Sequence, residues 1–338
     1  CTPGSVRGAA RKGGSYRGEP AIAMAIAYNA LDAPLREASR QIAQSRSQIQ
    51  RQPPEHLYHY TNSAGLLGIL ETSRLWATNY RYLNDASEVN YGASLLKSIV
   101  GEMLQVAADD IATEFLGRTL ETANAFDGML DFYVTCLCEG GDLLHQWTAY
   151  SDKGGGYAIG FEARQIGMRH EVDNPAQDFF FRKVEYNVEI QRRLIREVLD
   201  LALSRLRAGT EGASVAEANN AIARCCKFVR DEAAEYLLCF KHPAFEVEQE
   251  WRLCHVISPI ERRPLSFRDG RFGITPFVSL DVSPMAGVNA NRLPICSIRH
   301  GPTGDAETIR FGLQKMLAQK GYAFVDVSGT ALPLRAGL

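Results

Sequence analysis

Glu248-Gln249-Glu250-Trp251-Arg252-Leu253-Cys254-His255-Val256-Ile257 is the stretch whose reading decides the fold. Alternation by two sends Glu248, Glu250 and Arg252 to one side and Gln249, Trp251 and Leu253 to the other, which is strand spacing. The mainly apolar side is expected to face the core, and the Glu, Glu, Arg stripe to face solvent or a cleft. Either the carboxylates simply pair with Arg252 on a solvated strand, or they are presented to a ligand. Just upstream, Val188 to Arg207 and Val215 to Phe240 carry apolar residues at helical spacing with charged outer faces, and Gly209 to Ser214 separates them. This predicts a helical hairpin inserted between strands, with no strand inside 188–240.

Working outward, β-rich runs occur at Leu57 to Thr61, Arg74 to Thr78, Asp131 to Cys138 and Tyr157 to Phe161. Others follow at Leu265 to Phe267 and Phe272 to Leu280, joined by an Asp269-Gly270 hairpin turn. Asn62-Ser63 caps a short helix through Leu70, Asp85-Ala86-Ser87-Glu88 has capping-box spacing ahead of a helix to about Val106, and Leu143 to Tyr150 is a further short helix. Ile295 to Arg299, Ala306 to Lys320 and Tyr322 to Val327 read as strand, helix, strand. The order is that of an α+β protein.

Residues 1–19 hold five Gly and four Arg or Lys with little to bury, which predicts a disordered leader. Ala21 to Leu31 superficially resembles an export signal, but Tyr28 and Asn29 interrupt it, so a helix from Ala21 to Ile49 is expected. Pro53-Pro54 then marks a boundary. The expected division is a helical extension over 20–54 and a single α+β domain over 55–338, with its helical insertion at about 188–240.

Composition narrows the function classes. The 338 residues are 46% hydrophobic and 22% charged, enough for a full core. Lys+Arg at 37 against Asp+Glu at 39 gives a formal charge of -2, so there is no global basic footprint for nucleic acid. No run approaches the roughly 20 apolar residues of a membrane span. Eight cysteines without a CxxC pair argue against zinc and a disulfide framework and for a reducing cytosol, and no metal site is expected. Cys136 and Cys138 are expected on one strand face as small buried hydrophobes.

Four polar and aromatic clusters could line a cleft holding a ribose and a flat ring. His59 and Thr61 share one strand face and Tyr58 and Tyr60 the other; a histidine there can donate to a ribose hydroxyl or serve the fold. Trp147 and Tyr150, three apart on a helix, can line one surface or belong to the core. Lys153-Gly154-Gly155-Gly156 lacks P-loop spacing and reads as a turn. Asn84, Asp85 and Glu88 are explained as caps, and a metal-dependent nuclease is disfavoured because no strand-borne Lys follows Glu250.

Tyr58-His59-Tyr60-Thr61, Asn84-Asp85 with Glu88, Trp147 with Tyr150, Gly156 with Ile159-Gly160-Phe161, Lys241, and Glu248 with Glu250-Trp251-Arg252 together resemble an uncharacterised bacterial family, the domain of unknown function numbered twenty-nine seventy-one. Ile298 with Gly301-Pro302 and Leu332 to Arg335 suit its tail. The motif order is also similar to the His, Tyr, Glu arrangement of ADP-ribosyltransferases. That likeness implies a split, mainly antiparallel central sheet and cleavage of NAD as substrate, by ADP-ribosyl transfer or hydrolysis, as in a toxin or phage-defence effector. It gives Glu250 and Glu248 catalytic roles and assigns NAD contacts to His59, Tyr60, Thr61, Trp147, Tyr150, Lys241 and Arg252. The acceptor, whether protein, nucleic acid or water, is left open. A non-catalytic nucleotide-sensing module of the same fold and a nuclease-type effector are the competing readings. His59, Tyr150 and Glu250 are expected to converge on one concave pocket.

Overall fold

A computed structural model describes residues 33–49, 52–83, 87–124, 131–168, 179–257, 264–284 and 292–332. The expected leader, the first part of the N-terminal helix, the Asn84-Asp85 cap and the Leu334-Arg335 tail lie outside these residues.

The structure is mixed α+β, with an open, mainly antiparallel sheet of ten strands among the described residues. In chain order the elements begin with α1 (Ala33–Ile49), β1 (His56–Thr61), α2 (Ser63–Thr72) and β2 (Leu75–Asn79). Next come α3 (Ser87–Gln105), α4 (Asp110–Asn124), β3 (Asp131–Cys138), α5 (Leu144–Tyr150), β4 (Tyr157–Glu162), α6 (Ala163–Met168) and β5 (Phe180–Lys183). The helical pair α7 (Val188–Thr210) and α8 (Val215–Leu237) follows, as the apolar spacing predicts, and no strand interrupts it. Then come β6 (Glu250–Ile257), β7 (Ser266–Gly270), β8 (Gly273–Leu280), β9 (Ile295–His300), α9 (Ala306–Lys320) and β10 (Asp326–Gly329).

Local chemistry fixes the ends of the helical pair. The Asn187 side chain accepts from the amides of Glu189 and Ile190 at the start of α7, and Ser214 and Glu217 form a reciprocal capping box on α8. Along α7, Leu194, Ile195, Val198, Leu199, Ala202 and Leu206 are buried, one apolar stripe at helical spacing.

Strand β3 is the hub of the sheet. One of its edges pairs with β6 over its whole length, from Asp131 opposite Ile257 to Cys138 opposite Glu250. The other edge is shared: β2 takes the Tyr133–Val134 end and β1 meets it only at Tyr58 opposite Cys138. The sheet therefore forks, with β1, β4, β9 and β10 on one branch and β2, β8 and β7 on the other. Backbone groups left without a ladder partner in the fork are served by side chains, as burial requires. His59 Nδ1 donates to the Cys136 carbonyl at 2.9 Å, and the Thr135 hydroxyl donates to the Trp76 carbonyl at 2.9 Å.

Both faces of β3 and β6 are covered. Phe132, Val134, Phe180 and Cys254 pack under α1, α3, α4, α7 and α8, while Tyr133, Leu137, Trp251 and Leu253 pack with α2, α6 and α9. The expectation that one face of the Glu248–Ile257 strand stays open is thereby corrected: the strand is central and sandwiched. Helix α1 also joins this core through Leu35, Ala38 and Ile42, and Arg46 ties it to α8 through Glu232 and Glu235.

The glycine run behaves as a turn. Asp152–Gly154 forms one 3-10 turn, Gly154 has φ +92°, and an added Cβ on Gly156 would lie 2.3 Å from the Thr61 carbonyl oxygen. Gly156→Ala is expected to destabilise the fold by about 1–3 kcal/mol through this backbone clash. Urea unfolding measures it, and an unchanged midpoint would remove the close approach from the account.

Candidate functional site

The segment leading into β6 departs from the expected strand. Pro243–Glu248 is a 3-10 turn, with the His242 ring accepting from the Ala244 amide. Gln249 then adopts a left-handed conformation at φ +44°, so the strand begins at Glu250 and Glu248 lies outside it. The two carboxylates nevertheless meet, through a cation from a third element. Lys241 Nζ donates to Glu248 Oε2 at 2.6 Å and to Glu250 Oε2 at 3.0 Å. Lys241 is positioned by an exchange of backbone bonds around Glu185, whose amide donates to Cys239 and whose carbonyl accepts from Lys241.

Arg252 completes the cluster from the strand itself. Its Nε donates to Glu250 Oε1 at 2.7 Å, its Nη2 to Oε2 at 3.0 Å, and its Nη1 to the Leu238 carbonyl at 2.6 Å. A forked pair of this kind is the stronger class of ionic hydrogen bond. The Tyr186 hydroxyl accepts from the Glu250 amide at 3.1 Å, and the Cys136 thiol donates to the Glu250 carboxylate. Glu250 is only 4% exposed, with Lys241 and Arg252 at 2% each. Burial alone would raise the Glu250 pKa; Arg252 and Lys241 reverse that and hold it at about 2. The sequence reading that Glu250 points into an open cleft is corrected, because Lys241, Arg252 and Cys136 enclose its carboxylate and Tyr186 caps its amide.

Tyr150, at the end of α5, is 36% exposed. Its hydroxyl feels the charges of Glu248, Lys241 and Glu250, and burial followed by Glu248 pushes its pKa upward. Glu248, with 14% of its side chain accessible, is the carboxylate of the pair that reaches the surface. His59 is half-buried, and burial, the largest influence, lowers its pKa. Strand alternation turns it away from Tyr58, which stands level with Cys138 and Glu250. His59 therefore faces the side of the sheet opposite Glu250 and reaches Cys136 only at its backbone carbonyl, whereas Tyr150 and the Glu250 carboxylate approach the Cys136 side chain, so the expected convergence of His59, Tyr150 and Glu250 on one pocket is corrected. They do not face one another across an open hollow.

The remaining residues singled out from the sequence are structural in their contacts. The Tyr60 hydroxyl donates to the Gly140 carbonyl at 3.0 Å and accepts from the Leu143 amide at 2.9 Å. Trp147 is fully buried, edge-on to Tyr60, and donates to Asp142 at 2.8 Å. Thr61 is buried beside Gly65. Sequence reasoning missed Tyr186 and the role of Cys136. Tyr186 lies between a four-residue strand and a helix cap and carries no motif, whereas the one-face placement of Cys136 and Cys138 already set both on the Glu250 side of β3. Burial pushes the Cys138 thiol up to about 12, so it is an inert thiol.

Fold and site thus define an α+β protein whose forked sheet carries a buried carboxylate, lysine and arginine cluster at the start of its central strand. Residues 146–253 match the family described as Protein of unknown function (DUF2971), the family that the sequence motifs resemble. The matched stretch contains Tyr150, Lys241, Glu248, Glu250 and Arg252, and leaves His59 outside it. No curated protein and no solved structure matches the chain. No helix among the described residues is long and apolar enough to cross a membrane.

Proposed function

We propose that the protein cleaves the bond between nicotinamide and ribose in NAD, by ADP-ribosyl transfer or hydrolysis, as a toxin or phage-defence effector on a divergent ADP-ribosyltransferase-like frame. The observation that carries this reading is one ammonium, Lys241, bridging two carboxylates, of which Glu248 reaches the surface beside the exposed ring of Tyr150. Breaking the glycosidic bond develops positive charge on the ribose, and a fixed carboxylate in a poorly hydrated setting stabilises it. Glu250, held by Arg252, fixes Lys241, and Lys241 fixes Glu248. Tyr150 offers a face for nicotinamide to pack against. Water or a macromolecular hydroxyl, amine or carboxylate bonds to the ribosyl C1′ as the bond from C1′ to the nicotinamide nitrogen breaks; nicotinamide leaves as the neutral base, and the proton of an attacking O–H or N–H passes to Glu248 or solvent.

The test is nicotinamide release from NAD by the purified chain, with and without cell lysate as a source of acceptors. Glu248→Gln is expected to lower release by about 10²-fold with NAD affinity nearly unchanged, the size of one electrostatic contact made in the transition state. Protein that neither binds nor cleaves NAD overturns the proposal. A second reading, a nucleotide-sensing module without turnover, is favoured by one observation: both oxygens of Glu250 are already taken by Arg252 and Lys241. NAD binding without nicotinamide release in any lysate would select it.

A further inference from the structure

A cavity of about 760 Å³ opens beside the outer strand β5, between the end of α1, the start of α7 and the end of α8. That lies within the range of roughly 300–1,000 Å³ typical of small-molecule sites. Its walls divide by chemistry. Tyr186 and Phe240 contribute rings, and Arg46, Arg182 and Arg193 contribute guanidinium groups. At the inner end Arg46 and Arg182 converge on the single carboxylate of Glu235, the second at 3.6 Å. Arg46 is held in addition by Glu232 at 3.1 Å and stacks on Tyr236. Arg46 and Arg182 are together balanced by Glu232 and Glu235, so the inner end offers a ligand guanidinium N–H donors without net charge, and burial, with Arg46 alongside, holds Arg182 below its ordinary guanidinium pKa. Arg193 stands exposed at the rim. The acidic groups there are engaged or outward: Glu185 accepts from the Asn187 amide, and Glu189 and Glu246 are exposed.

We propose that this cavity is a binding site for a nucleoside monophosphate, with the base against Tyr186 and Phe240 and the phosphate toward Arg46, Arg182 and Arg193. Guanidinium groups suit phosphate because their planar donors match its oxygens in pairs. Inorganic phosphate alone would leave the aromatic walls and most of the volume unused. The lining includes neither Glu248 nor Lys241, and the proposal does not depend on NAD cleavage, although Tyr186 and Gln249 lie between the cavity and the Glu250 cluster.

Calorimetric titration of the full chain with AMP and GMP tests the proposal, with adenosine and inorganic phosphate as the two halves. At least one monophosphate is expected to bind at one site per chain, and each half at least ten-fold more weakly. Val188→Trp fills the mouth and Arg193→Glu reverses the rim charge; both residues are exposed, so neither change disturbs the core. Each should weaken the monophosphate at least ten-fold, while Glu248→Gln leaves it unchanged. Wild-type chain that binds neither monophosphate overturns the proposal. So does binding that survives both cavity variants or is lost in Glu248→Gln.

Discussion

Replacing Lys241 by methionine is expected to cost about 3–5 kcal/mol of folding stability, the usual effect of removing one partner from a buried ionic cluster. Methionine nearly conserves the volume, so the loss comes from charge rather than from a cavity. Without the ammonium, Glu248 and Glu250 face each other with no cation between them, and Glu250, only 4% exposed, has little water to replace it. Urea unfolding at neutral pH measures the effect. The double variant Lys241→Met with Glu248→Leu should regain at least half of it, because the second change removes one of the two repelling carboxylates. A single variant within 1 kcal/mol of the wild type, on the scale of exposed pairs, would mean that Arg252 alone satisfies Glu250.

Glu250 should also leave a signature in the acid range. Its folded pKa of about 2 lies below the ordinary value of 4.5. Deprotonated Glu250 therefore stabilises the fold fully above about pH 4.5, and that contribution is lost as the pH falls toward 2. At 1.36 kcal/mol per unit, the gap corresponds to something on the order of 3 kcal/mol. Glu250→Gln keeps the shape and cannot titrate. It should unfold at markedly lower urea than the wild type at pH 7, and the difference between the two should shrink as the pH drops from 5 to 3. Parallel curves over that interval would remove the carboxylate from the acid response.

The alternation and periodicity that identify β3, β4, β6, α7 and α8 were legible in the sequence because each carries one apolar pattern long enough to repeat. Phe180–Lys183 is too short to show alternation, so β5 was missed. Asp110–Asn124 does place Ala112, Phe115, Leu116, Thr119 and Ala123 on one helical face, a periodicity as readable as that of α7. The site was legible in membership and illegible in geometry. Lys241, Glu248, Glu250 and Arg252 were singled out together and do touch. Gln249, in a left-handed conformation that nothing in its residue type signals, breaks the strand between the two glutamates. Alternation also treats a charged face as an outer one, whereas here two cations make a charged face suitable for burial. Trp147 and Tyr150 show the same limit: spacing puts them on one helix side, but only the neighbouring Tyr60 ring decides which of them is enclosed.

The hub role of β3 has a consequence for synthesis. Its long edge is completed by β6, whose first residue emerges from the ribosome some 110 residues after the last residue of β3. At elongation rates of about 5–20 residues per second, a nascent chain would carry that edge open for roughly 6–22 s. During the interval Phe132, Val134 and Leu137 flank unpaired backbone groups, the combination that invites pairing with another chain. The α7 and α8 segment is translated within the same window, before the strand that it will cover. Expression at high ribosome density is thus the condition under which this protein is most exposed to aggregation, whatever the stability of the finished fold.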